Sequence, residues 1–349
     1  MNAETLISKA VAIGASDIHV IYGLPPMVRR AGGIEPIPDE APLTDVDCIA
    51  LAEELSDGRM AELEATGELD GSVTIAGQRV RINFFKQQGH ISAALRVLSS
   101  KIPELDHLGV PGKVQDLTGL NHGIVLVTGE TGSGKSTTLA AMIDRMNHSR
   151  GAHILTLEDP VEYVYTPDRC IINQREIGRD TSGFAAGLRA ALREDPDIIL
   201  VGEMRDLDTI ETALTAAETG HLVLGTLHAG SASDSVDRMV DVFPEGRQRQ
   251  IRMQLSMTLQ AVLSQQLLRN FDGTGRVLAC ELMMVNPAIR NLIREGKTPQ
   301  IFNMIATSAA DGSVTMDNSI IRLFKTGKIT EATALQAAHD LEYVKRNLN

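Results

Sequence analysis

The first hundred residues alternate between apolar and polar side chains in short runs, which is the pattern of half-buried strands. Alternation over 73–75, 80–84 and 91–98 is broken by the turn pairs Ala76-Gly77 and Gln88-Gly89, so a three-stranded meander is predicted there. Before the meander, helices are predicted at 4–14 and 46–65, and strands are predicted at 17–22 and 27–30. Residues 1–98 are therefore expected to form a small α+β domain.

From residue 114 onwards, the pattern changes to continuous apolar runs separated by helical segments. The runs lie at 124–127, 154–157, 198–201 and 222–226, and Gly, Pro or Asp residues bound each of them. This rhythm is typical of β-α-β units that build a parallel sheet. We therefore predict an α/β domain over 114–349, joined to the first domain by a Pro- and Gly-rich linker at 99–113.

The last third of the chain is predicted to be mainly helical. Apolar positions from Ile251 to Leu267 recur at helical spacing and indicate one long amphipathic helix over 245–268. Beyond about residue 286, the pattern favours several short helices, which we expect to form a C-terminal helical subdomain.

A phosphate-binding loop provides the strongest chemical signal. The chain matches the pattern G-x-x-x-x-G-K-[ST] in full, between an apolar strand and a helical stretch that starts at Thr137. Glycines let backbone N–H groups surround phosphate oxygens, the lysine reaches the β- and γ-phosphates, and the serine hydroxyl binds Mg²⁺. The predicted nucleotide-binding residues are Gly129, Glu130, Thr131, Gly132, Ser133, Gly134, Lys135, Ser136 and Thr137. No guanine-reading N-K-x-D element follows, so ATP is favoured over GTP.

Two further predicted strands end in residues suited to hydrolysis. Glu203 follows the strand at 198–201, and the carboxyl edge of a parallel sheet is where ligands bind. Its carboxylate could polarise the attacking water directly or through the magnesium shell, although a solvated loop glutamate would look the same. His228 ends the strand at 222–226 and would lie at the same edge, within reach of the γ-phosphate.

A carboxylate cluster follows the strand at 154–157. Glu158, Asp159 and Glu162 lie within five residues and repel one another unless a cation or an arginine is present. Magnesium is one such cation, so Glu158 and Asp159 are candidate ligands beside Ser136. The alternative is an acidic turn stabilised by Pro160.

Arginines lie near these elements and on the predicted strands of the first domain. Phosphoryl transfer is accelerated when an arginine neutralises the charge on the departing phosphate. The candidates are Arg81, Arg96, Arg193, Arg205 and Arg238, and each of them alone is equally compatible with a surface charge.

Composition restricts the partners. A net charge of -12 and the absence of tryptophan weigh against direct binding of nucleic acid. The three cysteines, Cys48, Cys170 and Cys280, are too far apart for a CxxC zinc site and fit a reducing compartment. The N-terminus lacks the pattern of a secretory signal, and no apolar stretch reaches the length of a membrane span. We expect a cytoplasmic protein that contacts membranes only through partners.

Four segments together resemble the secretion-superfamily ATPases. GETGSGKST, LEDPVEY, DPDIILVGEMRD and TGHLVLGTLHA are similar to that family's Walker A, Asp box, Walker B and His box. Two more segments resemble its type IV pilus retraction members: ASDIHVIYGLPPMVRRAGG near the N-terminus, and AIRNLIRE at 288–295.

The resemblance implies a homohexameric ring in which a PAS-like domain precedes a RecA-like P-loop domain and ATP binds between them. It implies Arg81 and Arg96 as phosphate-contacting residues, Glu203 as the hydrolytic glutamate and Glu162 as a second candidate base. The implied partners are the inner-membrane platform protein of the pilus machine and other pilus ATPases. The implied output is pilus disassembly and twitching motility.

Three other functions are compatible with parts of the pattern. A pilus-assembly or type II secretion ATPase usually carries an additional N-terminal domain and a tetracysteine zinc motif, neither of which this sequence shows. A non-hydrolysing regulatory paralogue is disfavoured by the intact boxes. A DNA- or effector-translocating relative is disfavoured by the acidic net charge.

The AIRNLIRE segment is predicted to be a helix from the N-cap Asn286 to Gly296. Its isoleucine and leucine positions follow i, i+3, i+4 spacing and should pack onto the second domain. Arg290 and Arg294 lie one turn apart and are both expected on an outward-facing cationic surface. The pattern alone favours an ordinary solvated face, and it is the resemblance to the retraction members that implies coupling of the ATPase cycle to retraction.

Overall fold

The computed structural model describes residues 2–30, 32–98 and 101–348. The chain divides into two compact units. The first comprises residues up to Ile102 together with Asp159–Val164, and the second comprises Pro103–Glu158 and the chain from Tyr165 onwards. The predicted linker at 99–113 begins with two residues outside the described part of the chain. From Pro103 it belongs to the second unit, where the buried Leu105 packs beneath the helix that follows the phosphate loop.

The first unit is an antiparallel sheet covered by helices. Its helices are α1 (Ala3–Ala12), α2 (Asp45–Leu55) and α3 (Met60–Thr66). Its strands are β1 (Asp17–Val20), β2 (Met27–Arg30), β3 (Gly33–Pro36), β4 (Glu68–Ile75), β5 (Gln78–Gln87) and β6 (His90–Val97). The strand order is β3-β2-β1-β6-β5-β4, and the predicted three-stranded meander forms one half of the sheet.

The helix predicted over 46–65 is two helices, so that prediction was wrong in its extent. Thr44 and Asp47 form a capping box at the start of α2. Asp57 and Gly58 then adopt positive φ angles of 53° and 80°, which reverse the chain before α3 begins. The apolar pattern continued across this turn because both helices bury leucines in the same core.

The second unit is a seven-stranded sheet in the order β13-β12-β7-β11-β10-β8-β9, parallel except for β13. Its strands are β7 (Gly123–Thr128), β8 (His153–Glu158), β9 (Ile171–Glu176), β10 (Ile198–Val201), β11 (Leu222–Leu227), β12 (Leu259–Arg269) and β13 (Arg276–Met284). Its first helices are α4 (Lys113–Leu117), α5 (Lys135–Ser149), α6 (Phe184–Ala191), α7 (Leu207–Glu218), α8 (Ala232–Asp241) and α9 (Glu245–Thr258). The predicted fold class, an α/β parallel-sheet unit preceded by a smaller α+β unit, is confirmed.

The long helix predicted over 245–268 was wrong beyond its midpoint. The helix α9 ends at Thr258, and the next eleven residues form β12, which pairs with β7 on one side and β13 on the other. Leu259, Val262 and Leu263 are buried within this strand, and the partner strands on its two sides together bond the backbone groups that a helix would bond internally.

The C-terminal helices do not share one core. They are α10 (Pro287–Glu295), α11 (Ile301–Thr307), α12 (Met316–Lys325), α13 (Glu331–Ala337) and α14 (Leu341–Leu348). Helices α10 and α11 join the main core beside α8 and α9, whereas α12 and α13 pack in a separate cluster with residues of β12 and β13. Among the helices that the structure describes, none is both long and apolar enough for a membrane span.

Candidate active site

The phosphate loop connects the fully buried strand β7 to the first residue of α5. Gly129 has a φ of 142°, and a Cβ atom there would lie 2.4 Å from the carbonyl oxygen of Gln265 and 2.6 Å from the Ser133 hydroxyl. Gly132 and Gly134 also have positive φ angles. The loop can therefore take this conformation only with glycine at these positions.

The polar groups of the loop are arranged for an anion. The Lys135 ammonium donates to the carbonyls of Gly129 and Glu130, both at 2.9 Å, which holds it over the loop. Ser133 is buried, and its hydroxyl has no hydrogen-bond partner among the described residues. Ser136 and Thr137 lie in the first turn of the fifteen-residue helix α5, where free N–H groups favour negative charge. Together, these features fit a bound polyphosphate.

Glu203 and His228 meet at the same sheet edge. Val201 of β10 is in register with Gly225 of β11, so the two chains leave the sheet side by side. The His228 Nε2 lies 3.0 Å from the Glu203 Oε1, and the Arg205 Nε donates to the same carboxylate oxygen. The Glu203 side chain is 18% exposed. It is therefore open to solvent on one side although two partners hold its carboxylate.

A close approach of two strands fixes the backbone before Glu203. The N–H of Gly202 donates to the carbonyl of Leu157 at 2.8 Å. A Cβ atom on Gly202 would lie only 2.9 Å from that same oxygen, so a larger residue would force β10 and β8 apart. The structure thus aligns the ends of β7, β8, β10 and β11 along one edge.

The predicted carboxylate cluster is divided between the two compact units. Glu158 ends β8 in the second unit, where its Oε1 accepts from the Thr156 hydroxyl at 2.6 Å and from the Gln174 amide at 3.1 Å. Asp159 and Glu162 belong to the first unit. Within the described residues, no cluster of three or more His, Cys, Asp or Glu side chains could hold a metal. A magnesium ion bound mainly by phosphate oxygens and water needs only one or two protein ligands.

Arg81 and Arg96 lie opposite each other on β5 and β6 of the first unit. The Arg96 Nε donates to Asp17 of β1 at 2.9 Å. Partial burial raises the pKa of Asp17, but the hydrogen bonds from Arg96 and Ser16 and the charge of Arg29 outweigh it, so the pKa is lowered. One of the two arginines thus has a carboxylate partner, and the pair places positive charge on one face of the sheet.

Sequence reasoning missed a buried polar group behind the phosphate loop. The Thr128 and Ser264 hydroxyls lie 2.8 Å apart, and the Ser235 hydroxyl donates to Thr128 at 3.4 Å. The Gln265 amide donates to the Thr138 hydroxyl in the first turn of α5 at 2.7 Å. These residues were missed because β12 was predicted to be helical. The polar run Ser264 to Gln266 inside an apolar segment was the available signal.

Comparisons with known proteins give consistent matches. Residues 70–312 match the family model described as type II/IV secretion system protein. The type IV pilus retractation ATPase PilT of Pseudomonas aeruginosa is 46% identical over 97% of this chain and 98% of its own length. A twitching motility protein of Neisseria gonorrhoeae is 50% identical over 76% of this chain and 71% of its own length. A crystal structure of the pilus retraction motor PilT with bound ADP superposes with a TM-score of 0.92 at 48% identity, covering 99% of both chains.

Proposed function

We propose, from the premise that the chain belongs to the type II/IV secretion system protein family, that it is an ATP-hydrolysing motor that drives type IV pilus retraction. The observation that carries this proposal is the near full-length similarity to a retraction ATPase, which extends through the AIRNLIRE segment of α10. That extent matters because the P-loop alone is shared by kinases, GTPases and motors.

ATP is the proposed substrate, bound with its phosphates in the Gly129–Ser136 loop. Lys135 would contact the β- and γ-phosphates, and the N–H groups of the loop and of the α5 N-terminus would bind their oxygens. Ser136 would hold magnesium together with Glu158 or Asp159. The ion would supply neutralisation of phosphate charge. These roles follow the chemistry of the donor atoms and the position of the loop.

Glu203 is the proposed base for the attacking water. The contact between the Glu203 carboxylate and His228 supports this role, because it fixes the carboxylate at the sheet edge that adjoins the phosphate loop. His228 would also sense the γ-phosphate. Glu162 is the second candidate for the base. Turnover measured in Glu203→Gln and in Glu162→Gln distinguishes the two candidates.

The working assembly is proposed to be a homohexameric ring in the cytoplasm, docked on the inner-membrane platform protein of the pilus machine and acting beside other pilus ATPases. Arg81 and Arg96 would contact phosphate from the PAS-like domain. Mass measurement with nucleotide should then show hexamers, and Arg81→Ala and Arg96→Ala should each lower turnover. A fully active monomer would contradict the ring.

A deletion strain tests the direction of the motor. Loss of a retraction motor should leave cells with persistent pili and without twitching. Bald cells would instead indicate an assembly ATPase. A steady-state ATPase assay on the purified protein separates a motor from a non-hydrolysing regulatory paralogue.

A further inference from the structure

Glu281 is a buried carboxylate on β13, only 2% exposed, that contacts the start of α8. Its Oε1 accepts the backbone N–H of Ala232, the first residue of α8, at 2.8 Å. Burial raises the pKa of Glu281, and the hydrogen bond from Ala232 opposes the rise. A buried carboxyl is expensive to leave without partners, so this contact is strongly maintained.

The start of α8 lies close in sequence to the proposed hydrolytic residues. Only the segment Ala229–Ser231 separates His228 from Ala232, and Ala229 is buried. Ser231 caps α8 by accepting the N–H of Asp234 at 3.1 Å. So short and constrained a segment leaves the His228 backbone little freedom once the first turn of α8 is fixed.

A second contact joins the same turn of α8 to the phosphate loop. The Ser235 hydroxyl bonds both the Ser231 carbonyl and the Thr128 hydroxyl. Thr128 is the residue directly before Gly129. The first turn of α8 is thus held from the loop side by Thr128 and from the β13 side by Glu281. Removal of either contact should let this turn shift relative to Glu203.

We propose that Glu281 is a positioning residue for hydrolysis, which fixes the start of α8 and thereby places the His228 imidazole against the Glu203 carboxylate. The inference rests on the proposed ATP hydrolysis at Glu203.

A matched control exists in the same part of the chain. Asp317 is also 2% exposed, and its carboxylate accepts the N–H groups of His339 at 2.8 Å and Asp340 at 3.0 Å. It binds α12 to the two residues directly before α14, and it makes no hydrogen bond to α8 in the described structure. Asp317→Ala and Glu281→Ala therefore each remove a buried carboxylate that accepts backbone N–H groups, and only the second removes a contact to α8.

The test uses the full-length protein and measures thermal stability, kcat and KM for ATP in both variants. We expect similar losses of Tm. Glu281→Ala should lower kcat by at least about tenfold with KM within about twofold, because small misplacement of a reacting group has large effects on rate. Asp317→Ala should keep kcat within about twofold of the wild type. An unchanged kcat in Glu281→Ala, or an equal fall in both variants, would overturn the inference.

A milder variant covers the case in which Glu281→Ala does not fold. Ser231→Ala removes the α8 cap at a cost of about 1 kcal/mol and should lower kcat without changing KM. Thr330→Ala removes the corresponding cap of α13 and should not. Equal kcat values in these two variants would also overturn the inference.

Hydrogen exchange separates this inference from the proposed function. Faster amide exchange at Gly230–Ala232 in Glu281→Ala is expected whether or not ATP is hydrolysed. A wild-type protein without ATPase activity would refute the proposed function alone, and unchanged exchange at these amides would refute the positioning role.

Discussion

Arg290 of the AIRNLIRE segment holds the end of the neighbouring helix, contrary to the expectation that it faces outward. Its guanidinium donates to the carbonyls of Ser256 and Met257 at 2.7 and 3.0 Å, and to the Gln260 side chain at 3.1 Å. Those acceptors lie where α9 ends and β12 begins. Burial lowers the pKa of Arg290. Arg294, one turn later, is exposed. The two arginines therefore have different roles, and Arg290→Ala should act through stability.

The size of the effect follows from the three bonds. A hydrogen bond that involves a charged group contributes about 1.5–3 kcal/mol, and a cation at a helix C-terminus adds about 0.3–1 kcal/mol. Arg290 is half-buried, so water replaces part of what is lost. We expect Arg290→Ala to destabilise the second unit by about 2–3 kcal/mol, or roughly 5–10 °C in Tm for a domain of this size.

Thermal unfolding, ATPase rate and twitching should be measured on matched variants. Arg290→Ala should lower Tm and, with it, the amount of active ring. Arg290→Lys should recover only part of the stability, because an ammonium cannot reproduce the planar fork. Arg294→Ala should leave Tm within about 1 °C and ATPase activity intact, since exposed substitutions change stability by only about 0.5 kcal/mol, yet should impair twitching. An unchanged Tm in Arg290→Ala would refute the capping role.

Three further changes test the site and one surface cluster. Lys135→Ala should abolish hydrolysis and weaken nucleotide affinity, because it removes the charge held over the loop; normal turnover in the folded variant would reject the loop assignment. Glu203→Gln should retain ATP binding but lose at least about 10²-fold in turnover; an active Glu203→Gln beside an inactive Glu162→Gln would reverse the two roles. The hydrogen bond to Asp168 raises the pKa of His148 above 6.5, so its stabilisation is present below that value and is lost as pH rises through the raised pKa. Wild type should therefore have a higher Tm than His148→Gln at about pH 5, and this difference should be lost by about pH 9.

The position of the phosphate loop and the contact between Glu203 and His228 were predictable because their signals are local. A parallel sheet brings the carboxyl ends of its strands to one edge, so Glu203 and His228 could be paired from sequence alone. The Gly129–Ser136 pattern specifies its own backbone conformation through glycine. Membership of Asp159–Val164 in the first unit could not be predicted, because the segment directly follows β8 in sequence.

The switch from α9 to β12 shows where a local pattern is insufficient. From Ile251 to Leu267, apolar residues recur at a spacing that a buried helix and a strand buried on both faces can each satisfy. The choice depends on β7 and β13, which lie on either side of β12, and β7 lies far from α9 in the sequence. A strand with two partners satisfies its backbone groups as fully as a helix does, so tertiary pairing decides.

Residues that hold distant helix ends follow the same logic, and this explains why the contacts of Glu281 and Arg290 carried no sequence signal. Each acts on backbone groups of a distant element: Glu281 on the first turn of α8, and Arg290 on the last turn of α9. Their importance depends on burial and on which helix end they meet, and neither property is encoded in neighbouring residues. A catalytic motif can thus be read along the chain, whereas the contacts that hold it in place depend on the assembled sheet. In this protein, Glu281 holds the start of α8, which follows the carboxyl edge that carries Glu203 and His228, whereas Arg290 holds the end of α9 at the opposite edge, where β12 begins level with the start of β7.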